Sequence, residues 1–133
     1  MSDFGKLLTA VITPFDNNGV LNTDTLWRLC KKLIHEKSDG LVLSGTTGES
    51  PNLTKEDRKI VYSTVKDSVG DKAKIIAGTG TYSTRESIEY TKMANDIGVD
   101  GIMIVTPYYS KPSQFGILKH FEQISKNTDL PIM

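Results

Sequence analysis

The sequence has few of the features that mark exported, membrane-bound or nucleic-acid-binding proteins. Its 133 residues include one cysteine, Cys30, so no disulfide can form within the chain. The longest apolar runs fall far short of the ~20 residues that cross a bilayer, and no basic segment precedes a long apolar stretch near the N-terminus. The 16 basic residues balance the 16 acidic ones. We therefore expect a cytoplasmic protein with no membrane or nucleic-acid partner.

Patterns typical of metal and nucleotide sites are also missing. His35 and His120 have no cysteine or second histidine at ligand spacing, so we expect no metal site. The stretch GTGTYS from Gly78 has two glycines of a dinucleotide fingerprint, but Ser83 stands where the third belongs. The stretch GTTGES from Gly45 lacks the Lys-Ser/Thr ending of a phosphate-binding P-loop. The sequence therefore does not favour a nucleotide cofactor.

A repeated order of apolar run, polar loop and amphipathic helix organises the chain. There are five apolar runs, the last of them LPIM at residues 130–133, and the helix after the second run is predicted over residues 55–69. The loops after the first four runs lie at Thr13, Gly45, Gly78 and Thr106. They are about 30 residues apart, which is the size of one βαβ unit. Because the runs are continuous rather than alternating, they predict a parallel sheet with both faces covered.

Two α/β architectures have this order of elements: an open doubly wound sheet and a (β/α)8 TIM barrel. Polar and glycine-rich loops follow every predicted strand, which is where barrel enzymes place their chemistry, so the barrel is favoured. The chain then supplies about the first four βα units and the start of strand five. Residues 1–133 are interpreted as the N-terminal half of a single barrel domain. Since a half-barrel has two open sheet edges, we expect it to pair with another half, a second copy of itself or a remaining part of the same protein.

The loop GTTGES offers main-chain donors to a small anion. Gly45 and Gly48 allow the backbone to bend and to approach a ligand closely. The amides of Thr46, Thr47 and Gly48 are then predicted to point into one concavity that holds a carboxylate. Threonine hydroxyls both donate and accept hydrogen bonds, so they can relay a proton without carrying charge. The alternative is a strand-to-helix turn in which the glycines serve backbone geometry alone.

The stretch TPYYSKPSQFG, residues 106–116, follows the fourth predicted strand. Pro107 and Pro112 stiffen this loop. Tyr108 and Tyr109 are adjacent, so in an extended segment they point in opposite directions. One is then available to a pocket and the other to a subunit contact. The alternative is that both tyrosines pack on the surface.

In their order and spacing, GTTGES, AGTG, VTPYY followed by KPSQ, and a final segment ending in TDLPI resemble dihydrodipicolinate synthase. This family belongs to the pyruvate-dependent class I aldolases, together with N-acetylneuraminate lyase. The resemblance covers essentially the whole chain, and the double tyrosine before KPSQ favours the synthase over the lyase. It implies a barrel that condenses pyruvate with aspartate semialdehyde in lysine biosynthesis. The reaction would proceed through a Schiff base to a lysine, without another cofactor.

Two alternatives to this activity stay open. One is a different aldolase of the same superfamily, such as an N-acetylneuraminate or keto-deoxy-sugar lyase. The other is a non-catalytic half-barrel that assembles through its open edges or binds a keto acid.

The resemblance also implies roles for individual residues. Thr47, with the amide of Thr46, would hold the pyruvate carboxylate, and Gly48 would belong to the same substrate-binding loop. The Thr46 hydroxyl would belong to a proton relay that Tyr109 joins from a neighbouring subunit of a homodimer or homotetramer. The Schiff-base lysine, a second tyrosine and an arginine for the semialdehyde are expected beyond Met133. We therefore expect the isolated chain to be inactive.

A regulatory site is implied at the same dimer contact, where lysine binds in the members that it inhibits. The equivalents here are Ser50, Pro51, Lys55, Arg58, Tyr82, Glu86 and Tyr108. Glu86 and Tyr108 suit a cationic amino acid. The positive charges of Lys55 and Arg58 would repel the ammonium group of lysine, so we expect weak lysine inhibition.

Overall fold

Strands and helices alternate through residues 4–133, the part of the chain that a computed structural model describes. The strands are β1 (Leu8–Ala10), β2 (Gly40–Leu43), β3 (Lys74–Gly78) and β4 (Gly101–Met103). The helices are α1 (Thr23–His35), α2 (Lys55–Val69), α3 (Thr84–Ile97) and α4 (Gln114–Ser125), and a short 3-10 helix spans Ser50–Asn52. Within this part of the chain, no helix combines the length and the apolar character needed to span a membrane.

The four strands form one parallel sheet in the order β1-β2-β3-β4. Ile132 continues this order with a parallel bridge to Ile102, and the Met133 amide donates to the Ile102 carbonyl oxygen over 2.8 Å. The predicted parallel α/β fold, with four βα units and the start of a fifth strand, is therefore confirmed. Among residues 4–133, neither the outer side of β1 nor that of residues 131–133 pairs with another strand. The sheet thus has two open edges in this part of the chain.

Hydroxyl-bearing residues fix where three of the helices begin. Thr54 accepts from the Asp57 amide while the Asp57 carboxylate accepts from the Thr54 amide, which is a complete capping box at the start of α2. The predicted bounds of this helix, residues 55–69, are confirmed. Ser83 and Ser113 cap α3 and α4 through their side chains, each accepting from one backbone amide of the first turn. These caps end the loops that surround the site described below.

The core lies between the sheet and the apolar stripes of the helices. Its fully buried side chains include Leu26, Cys30, Val65, Ile75 and Ile102. Burial raises the pKa of the Cys30 thiol to about 12, so this cysteine packs as a small apolar residue and has little thiolate character. Because all strands run parallel, their carboxyl ends meet at one edge of the sheet. The core therefore holds the four polar loops together at that edge.

Candidate functional site

The loop after β2 is a tight turn that closes on itself. The Ser50 amide donates to the Gly45 carbonyl oxygen over 3.2 Å, and the Glu49 amide donates to the Thr46 carbonyl oxygen over 3.1 Å. Ser44 and Glu49 adopt left-handed backbone conformations, with φ of 50° and 55°. Non-glycine residues rarely adopt this conformation, so the surrounding packing must hold the turn in its shape.

Two of the three amides predicted to form an anion cradle are available for binding. Among residues 4–133, the amides of Thr46 and Thr47 donate to no protein acceptor, and both residues are exposed. The Gly48 amide instead donates to the Gly45 carbonyl oxygen over 3.1 Å. The prediction of a free Gly48 amide is therefore wrong, because closure of the turn uses it. Gly48 contributes its backbone to the packing of the loop, and its carbonyl oxygen accepts from the Thr13 hydroxyl over 2.8 Å.

A cavity of about 250 Å³ opens at the carboxyl ends of the strands. It is lined by Ser44, Gly45, Thr46, Ser50, Pro51, Gly78, Gly80, Met103, Val105 and Tyr108. The cavity thus brings together the loops that follow β2, β3 and β4. Of the three residues predicted to bind substrate, Thr46 lines the cavity, whereas Thr47 and Gly48 lie in the turn beside it.

Several residues that line the cavity were not predicted from the sequence. For two of them, Gly78 and Gly80, the stretch AGTG could have indicated the position. A Cβ atom at Gly78 would collide with the Ser44 carbonyl oxygen, and one at Gly80 would collide with the Val105 amide nitrogen. These glycines let β3 approach its neighbouring loops more closely than any side chain allows. Met103, the last residue of β4, and Val105 in the loop after it also line the cavity, which their apolar character alone did not predict.

The two adjacent tyrosines lie in different environments. Tyr108 is half-buried at the cavity, and its ring packs edge-on against Tyr82 with centroids 5.5 Å apart. Tyr109 is 95% exposed and has a left-handed backbone, with φ of 70°. Its hydroxyl makes no hydrogen bond within residues 4–133. The predicted subunit contact of Tyr109 stays a prediction.

The two positive charges proposed to weaken lysine binding lie in different environments. Arg58 is only 3% exposed, and its guanidinium donates to the carbonyl oxygens of Gly78 and Ser50 over 2.8 and 2.6 Å. Lys55 is exposed, and its ammonium lies 3.2 Å from the Glu89 carboxylate. The pairing with Glu89 weakens the predicted repulsion by Lys55, whereas no carboxylate among residues 4–133 compensates the buried charge of Arg58. The inhibition itself is a separate, open prediction.

The ionisable groups around these loops are few. Burial raises the pKa of the Tyr62 hydroxyl, which donates to the Gly78 carbonyl oxygen over 2.9 Å. Burial also lowers the pKa of His120, whose Nδ1 lies 2.9 Å from the Thr84 hydroxyl oxygen. Residues 4–133 contain no group of three His, Cys, Asp or Glu side chains arranged to hold a metal ion. The residues that line the cavity are all neutral, so they can supply hydrogen bonding and proton transfer by hydroxyl and main-chain groups.

Parallel βα units whose polar loops meet around one cavity at the carboxyl ends of the strands define the first half of a (β/α)8 barrel. Residues 3–133 match the dihydrodipicolinate synthetase family, and the chain belongs to this family.

Individual relatives agree with this assignment. The chain is 50% identical over 131 residues to the 4-hydroxy-tetrahydrodipicolinate synthase of Desulforudis audaxviator, and the match covers 98% of this chain and 45% of that protein. The crystal structure of dihydrodipicolinate synthase from Bacillus anthracis superposes with a TM-score of 0.96 at 45% identity, covering 100% of this chain and 46% of that one. N-acetylneuraminate lyase from Mycoplasma synoviae superposes with a TM-score of 0.92 at 32% identity, covering 98% and 45%. The chain spans about half the length of the curated relatives it matches.

Proposed function

We propose that this chain supplies the pyruvate-binding half of a 4-hydroxy-tetrahydrodipicolinate synthase. In this reaction pyruvate forms a Schiff base with a lysine, becomes an enamine and attacks the aldehyde carbon of aspartate semialdehyde. The role of this chain is to bind the pyruvate carboxylate and to move protons. The lysine supplies the covalent chemistry, so no other cofactor is needed.

The observation that carries the proposal is the pair of unpaired amides at Thr46 and Thr47. A turn held in a strained conformation presents both donors beside a cavity, without using either in secondary structure. Fixed main-chain donors of this kind suit a small anion, since they need no reorganisation when the ligand binds. A keto acid of three carbons is small enough for a cavity of about 250 Å³. These features support binding of the carboxylate by the Thr46 and Thr47 amides and the Thr47 hydroxyl.

The proposed proton relay combines the Thr46 hydroxyl with Tyr109 of a second copy. Thr46 lines the cavity, which supports a position for its hydroxyl beside a carbinolamine that forms there. Tyr109 is almost fully exposed and lies on a backbone whose shape is costly to maintain, which supports a role in contact with another molecule. A chain of neutral hydroxyls can move protons without placing a full charge in a dry site. We therefore propose a homo-oligomer in which each copy completes the site of its neighbour.

The Schiff-base nucleophile is proposed to lie outside residues 1–133. Every lysine of the sequence is exposed except Lys66, which is half-buried, and none lines the cavity. A nucleophilic lysine needs desolvation or a cationic neighbour to lower its pKa, and none of these lysine side chains is buried. We expect that borohydride will not trap pyruvate on the isolated chain. A mass increment on any of its lysines would contradict this assignment.

A chimera tests the activity itself. It joins residues 1–133 of this chain to the remaining C-terminal portion of the Desulforudis audaxviator relative, which supplies the other half of a barrel. We expect the chimera to condense pyruvate with aspartate semialdehyde. Replacement of Thr46 by Val should lower kcat by about 100-fold through loss of the relay hydroxyl, whereas Thr46→Ser should retain most of it. A folded chimera without condensation activity would contradict the proposed function.

A further inference from the structure

Arg58 is a buried cation with no acidic partner. It lies one turn into α2 and is 3% exposed, and no carboxylate among residues 4–133 lies within ion-pair distance of its guanidinium. Its hydrogen-bond acceptors are two neutral carbonyl oxygens, those of Gly78 and Ser50. Its guanidinium carbon also lies over the Tyr90 ring, 4.6 Å from the ring centroid. Burial of an unpaired charge costs free energy, so we expect an arginine in this position to have a specific role.

The two acceptors belong to different loops of the site. Gly78 is the last residue of β3, and Ser50 ends the turn that carries Thr46 and Thr47. The planar guanidinium holds one nitrogen against each carbonyl, over 2.8 Å to Gly78 and 2.6 Å to Ser50. Lysine cannot reproduce this bridge, because its ammonium is a point charge without a fixed fork of donors. Arg58 therefore joins the turn after β2 to the end of β3.

A second donor fixes the Gly78 end of the bridge. The Tyr62 hydroxyl, one turn further along α2, donates to the same Gly78 carbonyl oxygen over 2.9 Å. Tyr62 is fully buried, and burial raises the pKa of its hydroxyl, so it remains a donor at neutral pH. Both lone pairs of the Gly78 oxygen are thereby used. With β3 held in place, the Arg58 contact to Ser50 sets the position of the turn.

We propose that Arg58 is a positioning residue that holds the turn at residues 45–50 in its binding shape and adds positive potential beneath the cavity. It does not line the cavity, whereas both of its acceptors do. Its hydrogen bond to the Ser50 carbonyl oxygen holds the turn in place. Its uncompensated positive charge attracts an anion bound in the cavity. This inference rests on the proposed function for the identity of the anion, pyruvate. The bridging of the two loops does not depend on that identity.

Hydrogen exchange in the ligand-free 133-residue chain tests the bridge. The reporter is the Ser50 amide, which donates to Gly45 within the turn, and the reference is the set of amides in the middle of α1. In Arg58→Met we expect Ser50 to exchange at least tenfold faster relative to α1. Arg58→Lys keeps the charge but not the two-carbonyl bridge, and should also speed exchange. Lys59→Met removes an exposed charge from the adjacent position and should leave the ratio unchanged.

Pyruvate titration, followed by the amide shifts of Thr46 and Thr47, tests the consequence for binding. We expect Arg58→Met to weaken pyruvate binding at least tenfold and Arg58→Lys about threefold, with Lys59→Met within twofold of the unsubstituted chain. Neutral pyruvamide should lose less affinity than pyruvate in Arg58→Met, because it does not respond to the missing charge.

The possible results separate the two proposals. Unchanged Ser50 exchange in a folded Arg58→Lys or Arg58→Met variant overturns the positioning role. Faster exchange combined with no pyruvate-induced shift at Thr46 or Thr47 in the unsubstituted chain supports the bridge and overturns the proposed ligand. Should Arg58→Met fail to fold, Arg58→Lys decides the question by the same two measurements.

Discussion

The Thr13 hydroxyl donates a hydrogen bond of 2.8 Å to the carbonyl oxygen of Gly48, across 35 positions of sequence. Both residues are buried. The bond joins the segment after β1 to the turn after β2, and Arg58 links the same turn to the end of β3 through Ser50 and Gly78. A Cβ atom at Gly48 would lie only 3.0 Å from the Val11 carbonyl oxygen, so the two backbones are in close contact. The turn that carries Thr46 and Thr47 is thus held from two sides.

Replacing Thr13 by Val should loosen this turn. The substitution keeps the side-chain shape but leaves the Gly48 carbonyl oxygen without its buried partner, at a cost of about 1–3 kcal/mol in the free energy of unfolding. Urea unfolding measures the cost, and hydrogen exchange at residues 45–50 locates it. Thr13→Ser is the matched control, because it retains the hydroxyl and should keep the exchange of these residues close to that of the unsubstituted chain. Equal exchange in the Val and Ser variants would show that the bond does not restrain the turn.

The sequence was sufficient to predict the order of elements and several of their bounds. The valines at positions 61, 65 and 69 repeat at helical spacing, and Thr54 and Asp57 have the spacing of a capping box, so α2 was located to the residue. These signals are local, since each depends on residues within a few positions of one another. The continuous apolar runs similarly specified a parallel sheet, because only strands covered on both faces lack alternation.

The contacts that shape the site could not be predicted in this way. Arg58 has the sequence environment of a surface charge, yet it is buried because two carbonyl oxygens, 8 and 20 positions away, converge on it. Gly48 was expected to offer its amide, but the closure of the turn by a bond to Gly45 depends on left-handed backbone angles at Ser44 and Glu49. Serine and glutamate are not residue types that predict such backbone angles. These features depend on contacts between residues far apart in the sequence, which cannot be predicted from the local pattern of a single sequence.

Replacing Lys37 by Gly should stabilise the protein. Lys37 follows the end of α1 with φ of 75°, its amide donates to the Ile34 carbonyl oxygen, and the Ser38 amide donates to the Leu33 carbonyl oxygen. These two bonds form a Schellman motif, in which glycine is the preferred residue at the left-handed position. Relief of the left-handed strain outweighs the added freedom of glycine in the unfolded chain, for a net gain of about 0.5–1 kcal/mol.

Thermal and urea unfolding of the Lys37 variants provide the measurement. Lys37→Ala removes the same charge and side chain without relieving the strain, so it should not be stabilising. A gain of the same size in the Ala and Gly variants would assign the effect to the loss of the lysine side chain instead of to the backbone.

Replacing Tyr109 should separate assembly from proton transfer in the chimera. Tyr109 exposes 95% of its surface in the single chain, so the proposed contact with a second copy would bury a large aromatic side chain. Tyr109→Ala should weaken self-association at least tenfold in sedimentation experiments. Tyr109→Phe keeps the ring but lacks the hydroxyl, so it should assemble normally and lose about 100-fold in kcat. Full activity in Tyr109→Phe would exclude this hydroxyl from the relay.

Stability should fall as the pH is lowered from about 6.5, the ordinary pKa of histidine, and His120 should be the cause. His120 is 2% exposed, its Nδ1 lies 2.9 Å from the Thr84 hydroxyl oxygen, and its ring packs edge-on against Phe121. Burial lowers its pKa in the folded chain, and a smaller interaction with the Val105 backbone opposes the shift. The unfolded chain therefore binds a proton at higher pH than the folded chain does. The stabilising contribution is complete above about 6.5 and is lost as the pH falls toward the lowered pKa.

Unfolding between pH 8 and pH 5 isolates this effect, because the carboxylates with lowered pKa values, Asp16, Asp39 and Glu122, change their charge at more acidic pH. His120→Gln can keep a hydrogen bond to Thr84 but has no proton to gain, so its unfolding free energy should vary less over this range. His35→Gln is the matched control: His35 is exposed at the end of α1, and its removal should leave the pH dependence in place. The opposite pattern, with the pH dependence abolished by His35→Gln and retained in His120→Gln, would show that burial of His120 does not link its protonation to unfolding.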